Sequence, residues 1–275
     1  MKCKFEEMRS PEIGELAKKK GMVMVPIGAC EEHSRHMPVI TDTHIAYEAS
    51  IASAEKALET VPVAVLPPVW FGYTVGTLKN WPGTITVRPK VMIDLMYDIC
   101  RSLIDMGISR ILIVNGHGNN PGMLDVAVRS VADDFKVFPG IVNTYGCWDA
   151  ETVNSHRRSK EGGISHAGEA ETALMLYLSS LVDMSEAVDT DIMTSTLASC
   201  PVDACSGRKK SLFLSTWFLE NSVHGGCGDP TPATKEFGEL IFSMIVDKMT
   251  AIITEFYDIQ EKMSERKLKR KCTTF

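Results

Sequence analysis

The sequence predicts an α/β protein of three layers, αβα, with a mainly parallel central sheet. Three observations carry that expectation. Short apolar runs alternate with longer stretches of helical periodicity. Two of those runs end abruptly in segments that carry metal-ligand side chains, Glu31 and His33 after one and His117 after the other. No stretch repeats another and none reads as a linker. Residues 1–275 are therefore expected to form a single domain, with a loop or subdomain insertion at 183–230, where periodicity fades.

Met22–Ile27 is a continuous apolar run, as expected of a strand buried on both faces. Residues 45–59 read as a helix, with Ile45, Ala49 and Ala52 on one face and Glu48, Glu55 and Glu59 largely off it. Residues 61–66 give a second strand, closed by Pro67 and Pro68. Residues 70–80 are rich in Gly, Thr and aromatics, a loop signal. Residues 85–87 read as a short strand. Met92, Leu95, Met96, Ile99 and Leu103 recur at helical spacing, and Gly107 supplies the stop. A strand at 111–114 and a helix at 122–131 follow. Residues 136–143 read as a strand, and Pro139 places it at an edge or a bulge. From Pro232 a long helix is expected, with Phe237, Leu240, Ile241, Met244, Ile245, Met249, Ile252, Ile253 and Phe256 on one side. Its basic end, residues 266–271, reads as a solvated terminus whose cations complement the helix dipole.

Composition narrows the function classes. The chain has 275 residues, 44% hydrophobic and 23% charged, an ordinary balance for a globular protein. Its net charge of -6 argues against nucleic acid as the main partner. No apolar run approaches the ~20 residues that cross a bilayer, so no membrane association is expected. The polar, acidic first residues do not read as a signal peptide. Eight cysteines without one point to reduced thiols and a cytoplasmic location.

The chemistry concentrates at residues 30–44, C-E-E-H-S-R-H-M-P-V-I-T-D-T-H. Glu31 and His33 are two apart, so an extended backbone points both to one side. Asp42 stands directly before a helical pattern, where carboxylates are favoured. Mixed nitrogen and carboxylate ligands suit zinc, manganese or ferrous iron. A polar surface loop is the competing reading. A second stretch decides between them: the strand at 111–114 runs into Asn-Gly-His-Gly, putting His117 where open α/β sheets bind ligands. A glycine on each side lets the backbone turn sharply and leaves the imidazole uncrowded. His166 and Glu169, in S-H-A-G-E-A-E-T, are three apart and read as sharing one face at the first turn of a helix. The plainer alternative for Glu169 is a carboxylate that satisfies backbone amides. Cys200, Cys205, His224 and Cys227 have loose spacing for a zinc site and read as buried or free thiols instead. Glu32, His36 and His44 flank the candidate ligands and could orient them.

The segments P-I-G-A-C-E-E-H-S-R-H-M-P-V-I-T-D-T, W-P-G-T-I-T-V, I-L-I-V-N-G-H-G-N-N, S-H-A-G-E-A-E-T-A-L-M-L and G-D-P-T-P-A-T resemble, in order, the landmarks of the creatininase family of amidohydrolases. The resemblance implies two divalent metal ions per chain, zinc, manganese or iron. By it Glu31 and His117 hold one metal and His33 the other, Asp42 bridges them, and Glu169 is the candidate for the remaining ligand. The implied reaction is hydrolysis: hydroxide generated at the metals attacks a carbonyl, and His166 protonates the leaving group. A small cyclic amide or cyclic ketone is the expected substrate. The alternatives are C–C cleavage of an oxidised inositol, or an α/β protein that binds a ligand without chemistry. The resemblance also implies a homo-oligomer, hexamers being common in the family.

Two departures from the creatininase pattern matter. Gly118 and Asn119 stand where creatininase carries Tyr and a metal-ligating Glu, so creatinine itself is not the expected substrate. Leu78 stands where many relatives carry His, which leaves Lys79 or Asn80 to contact substrate. Asn119 and Trp148 complete the expected substrate contacts. The polar residues among these lean toward a hydroxyl-rich substrate.

Overall fold

The computed structural model describes residues 2–194, 197–208, 210–215 and 219–273. Side chains at 261 and from 263 onward lie outside the description, and with them the expected basic helix end at 266–271. Four strands form the sheet: β1 (Met22–Ile27), β2 (Val63–Val65), β3 (Arg110–Asn115) and β4 (Gly140–Asn143). Their order is β2-β1-β3-β4 and every pairing is parallel. Seven α-helices are described: α1 (Ser10–Lys18), α2 (Thr41–Ala57), α3 (Pro89–Asp105), α4 (Pro121–Phe135), α5 (Ala150–His156), α6 (Glu169–Leu178) and α7 (Lys235–Thr273).

Period-two alternation along the strands divides the interior into two cores. Met22, Met24, Val63, Val65, Leu112 and Val114 point into one, against residues of α2, α6 and α7. Val23, Val25, Ala64, Ile111 and Ile113 point into the other, against residues of α1, α3 and α4. That makes three layers, as the sequence predicts. All residues of β1 and β3 are buried, which is why these two strands read so clearly as apolar runs.

Pro26 stands inside β1, an interior strand, where a missing N–H ordinarily breaks a ladder bond. Here β2 has already ended at Val65, and its chain continues as Pro67 and Pro68. The Pro26 carbonyl still accepts from Val69 N at 2.8 Å, so the edge remains closed.

Several expected boundaries shorten. The strand at 61–66 keeps only Val63–Val65, and that at 136–143 keeps Gly140–Asn143, starting directly after Pro139 at the sheet edge. Residues 85–87 form no strand; Ile85 makes one antiparallel bridge to Cys30. The α3 stop falls where expected, with Gly107 at φ +86°.

Between 183 and 230 the described residues contain the 3-10 turn Met184–Glu186, a further 3-10 position at Leu219, and otherwise irregular chain. Two buried aspartates fix this stretch. Asp191 accepts from Ser222 Oγ and from the Val223 and His224 amides. Asp203 accepts from the Gly162, Ile164 and Cys205 amides and pairs with Arg157 at 2.9 Å. Irregular backbone is thus held by carboxylate-to-amide bonds where no ladder can hold it.

Candidate metal centre

The site lies beyond the carboxyl ends of β1 and β3, as expected for an open parallel sheet. Glu31 and His33 come from the chain after β1, Asp42 from the first turn of α2, and His117 from the loop after β3. All four are at most 3% exposed. His117 Nδ1 lies 2.7 Å from Asp42 Oδ2 and 3.1 Å from Glu31 Oε2. His33 Nε2 lies 3.3 Å from Asp42 Oδ1 and 3.7 Å from Glu171 Oε2. Donor atoms within 4.8 Å of one another define three groups: Glu31, Asp42 and His117; His33, Asp42 and Glu171; Glu31, His33 and His166.

Second contacts orient each ring. The backbone carbonyl of Glu31 accepts from His33 Nδ1 at 3.1 Å, which leaves Nε2 facing the cluster. The Tyr73 carbonyl accepts from His117 Nε2 at 3.0 Å, which leaves Nδ1 facing Glu31 and Asp42. Tyr73 is itself held, since its amide donates to Asn120 Oδ1. Asn115 accepts from the His117 amide and donates to the His117 carbonyl.

These contacts fit a cation better than a hydrogen-bonded network. Glu31 Oε1, Asp42 Oδ2, His33 Nε2 and His166 Nε2 are buried and make no hydrogen bond among the described residues, although donors and acceptors approach closely. Ligand atoms that converge on a common centre produce this pattern, because they point at the centre and not at each other. Electrostatics agree. Burial opposes a charged His33, yet Asp42, Glu171 and Glu31 outweigh it and lift its pKa to about 10. His117 is likewise raised against its burial by Glu31 and Asp42. Burial would raise the Asp42 carboxyl, but His117 and His33 hold it far below the usual carboxylate range. The carboxylates thus demand positive charge, and a bound metal displaces the protons that otherwise supply it. His36, by contrast, is driven down to about 4 by burial and by the neighbouring His33 and His166, and its Nε2 meets Thr172 Oγ1.

Glu169 is not in the cluster. It is the first residue of α6, and its carboxylate accepts from the Arg158 and Ser159 amides at 2.8 and 2.9 Å. The carboxylate that reaches His33 belongs to Glu171, which also accepts from the Ala167 amide at 2.7 Å. The expected helical face shared by His166 and Glu169 does not form, because His166 precedes the helix. Ala167 sits at φ +55°, and Ser34 at φ +59°. Each follows a site histidine directly. Such left-handed residues without glycine cost of order 1 kcal/mol and concentrate at functional sites.

The other expected contacts divide. Asn119, Trp148 and His166 line a cavity of about 310 Å³ that opens onto Glu31, Asp42 and Glu171. Lys79 and Asn80 lie in an exposed 3-10 turn, Gly76–Asn80, and do not line it; the buried Leu78 does. Tyr145, which sequence reasoning missed, lines the cavity and has its single hydroxyl proton within reach of two acceptors, Glu171 Oε1 at 3.1 Å and Asp42 Oδ1 at 3.4 Å. Burial, then Glu171 and Asp42, push its phenol well above the usual value. Glu32 lies 3.8 Å from His166, whereas His44 turns away toward Glu48 and the Leu178 carbonyl. Cys205 and Cys227 are buried free thiols, Cys200 is buried, and no metal-holding group among the described residues contains any of the three.

Gly116 is required for a reason the sequence did not show. A Cβ there would lie 2.3 Å from the Asp42 carbonyl, whereas one at Gly118 would meet nothing within 4 Å. Gly116→Ala is expected to cost about 1–3 kcal/mol in overpacking and to weaken metal binding by shifting Asp42. Gly118→Ala should leave stability near wild type. Denaturant unfolding and metal titration of the two proteins check this.

A parallel α/β sheet whose strand ends gather buried carboxylates and imidazoles defines an α/β protein with a candidate metal centre. The chain belongs to the creatininase family: the family profile described as creatinine amidohydrolase matches residues 6–253. It is a hydrolase of that family. It is 31% identical over 228 residues to the mycofactocin precursor peptide peptidase of Mycolicibacterium smegmatis, spanning 82% of this chain and 81% of that enzyme. It is 26% identical over 193 residues to the 3-dehydro-scyllo-inosose hydrolase of Thermotoga maritima, spanning 68% of this chain and 60% of that enzyme. A mutant creatininase structure described as of Zn-Zn type has the same fold, with a TM-score of 0.76 at 22% identity, over 93% of this chain and 98% of that one.

Proposed function

We propose that the protein is a two-metal hydrolase that cleaves an amide C–N bond in a small substrate. The observation that carries this reading is the position of Asp42. Its carboxylate belongs both to the Glu31–His117 group and to the His33–Glu171 group, as a bridging ligand must. Glu31, Asp42 and His117 would hold one divalent cation, and His33, Asp42 and Glu171 the other. Zinc, manganese and ferrous iron all suit this donor set. When bound, such a pair lowers the pKa of water and polarises a carbonyl.

The chain's own residues supply the rest. Tyr145 fixes the orientation of Glu171 and Asp42 through its hydroxyl. His166 packs its ring, tilted by 52°, against His33 with ring centroids 4.5 Å apart, and lines the cavity. There it is placed to hand a proton to the departing nitrogen. Asn119 offers its amide to the substrate. Trp148, Leu78, Ile164, Val202 and Leu219 exclude water around the reacting bond.

This lining favours an amide over a polyol. The lean toward a hydroxyl-rich substrate rested partly on Lys79 and Asn80, which do not face the cavity. Ring opening of a keto-inositol remains the second reading, favoured by the likeness to the inosose hydrolase. The test is a panel of small lactams, acyl amino acids, short peptides, creatinine and keto-inositols on metal-replete protein. Metal-dependent amine release from an amide supports the reading. Turnover confined to keto-inositols would replace it with C–C cleavage, and creatinine turnover at ordinary enzymatic efficiency would overturn the departure argued from Gly118 and Asn119.

We further propose a cytoplasmic homo-oligomer, a hexamer by family resemblance. No described helix is long and apolar enough to cross a membrane. Trp70, Phe71 and Ile85 are exposed at 48%, 44% and 57%, apolar surface that a subunit contact would cover. Light scattering at micromolar concentration is expected to give a multiple of 30.3 kDa. A single-chain mass would rule the assembly out.

A further inference from the structure

The cavity has two chemically different ends. Its floor carries Glu31, Asp42, Glu171, His117 and His166. Its outer wall is built by the irregular stretch after Cys200, and there Lys210 is the one lysine or arginine among the described lining residues. No carboxylate pairs with Lys210 among the described residues. Its ammonium instead lies 5.6 Å from the centroid of the Phe213 ring. That contact holds the charge at the mouth without neutralising it. Phe213 is 77% exposed and Leu214 37% exposed, and both line the cavity. An apolar rim with one unneutralised cation, facing a hydrolytic floor, recognises an apolar group that ends in an anion.

We propose that Lys210 binds the free carboxylate of the substrate, so that the enzyme acts on acyl amino acids or on short peptides with an apolar carboxyl-terminal residue. The proposal rests on the amide-hydrolysis reading above. The apolar side chain packs against Phe213 and Leu214, the carboxylate meets Lys210, and the scissile amide reaches the floor. Water adds to the acyl carbon and the C–N bond breaks. The amine nitrogen leaves with a proton from His166, giving a carboxylic acid and an amino acid or shortened peptide. The cavity volume, near the low end of the roughly 300–1,000 Å³ usual for ligand sites, suits a ligand of this size.

The test compares N-acetylphenylalanine with its carboxamide on metal-replete wild type, Lys210→Met and Lys210→Glu. Amine release gives kcat/KM, and calorimetry gives the affinity of any ligand that is not turned over. Wild type is expected to favour the free acid by about fivefold at low salt, the scale of an exposed ion pair. Lys210→Met should bring that ratio to about one, and Lys210→Glu should invert it. A wild-type ratio near one, or a ratio unchanged in Lys210→Met, overturns the proposal. Failure of the amide reading shows separately, as no amine release from any amide, while the affinity ratio still decides the role of Lys210.

Discussion

An Asp42→Ala protein is expected to retain fewer than two tightly held divalent cations and to lose hydrolysis by well over the ~100-fold that removal of an outer partner costs. Asp42 is the one carboxylate placed in both the Glu31–His117 group and the Glu171-containing group. Without it each falls to two ligands, and His117 and His33 lose their nearest carboxylate, at 2.7 and 3.3 Å. The fold should survive, because α2 is anchored by Ile45, Ala46 and Ala49, all fully buried. Metal analysis after dialysis, with circular dichroism as the control, gives the answer. Two metals still bound per chain would defeat the bridging assignment. Asp42→Asn keeps the volume and separates loss of charge from loss of packing.

The second large effect is a contrast between two glutamates two residues apart. Glu171→Gln should remove one ligand of the His33 cation and lower turnover at least tenfold, with the denaturation midpoint close to wild type. Glu169→Gln should do the reverse. Its carboxylate accepts two backbone amides, and an amide side chain turns one of those acceptors into a donor. An N–H left without a partner in a site this buried costs about 1–3 kcal/mol, while metal content should stay the same. Metal stoichiometry and denaturant midpoints, measured on both proteins, decide it. Metal loss in Glu169→Gln with retention in Glu171→Gln would reverse the assignment.

That contrast also marks where the sequence stops being legible. β1 was read to the residue and β3 to within one at each end, because burial on both faces leaves uninterrupted apolar runs. Glu31, His33, Asp42 and His117 could be found because each lies just beyond a strand or at a helix start. Glu169 misled because counting by three from His166 presumes a helix that has already begun. The left-handed Ala167 intervenes, and α6 starts only at Glu169, so the periodic rule does not extend back to the histidine. The alternative of a carboxylate satisfying amides was nearer the truth, although the amides belong to a turn earlier in the chain. Tyr145 carried a usable signal. It follows β4 just as His117 follows β3, so the strand-end rule applied to one should have been applied to the other. Lys79 and Asn80 had no such signal, since polarity in a loop does not fix which way the loop faces.

The placement of the cluster ties occupancy to stability. The chain after β1, the first turn of α2 and the loop after β3 meet at the site, and a cation gripped by all three acts as a removable cross-link. By mass action, a ligand that binds only the folded chain adds about 2.7 kcal/mol at a hundred times its dissociation constant. Such an increment is a sizeable part of the ~5–15 kcal/mol that keeps a domain folded. Chelation should therefore lower the melting temperature as well as the activity, and acid should do both together, because protons compete for the same ligand atoms. The supply of metal would then set how much of this protein stays folded, and so how much survives proteolysis, before it sets how fast any molecule turns over.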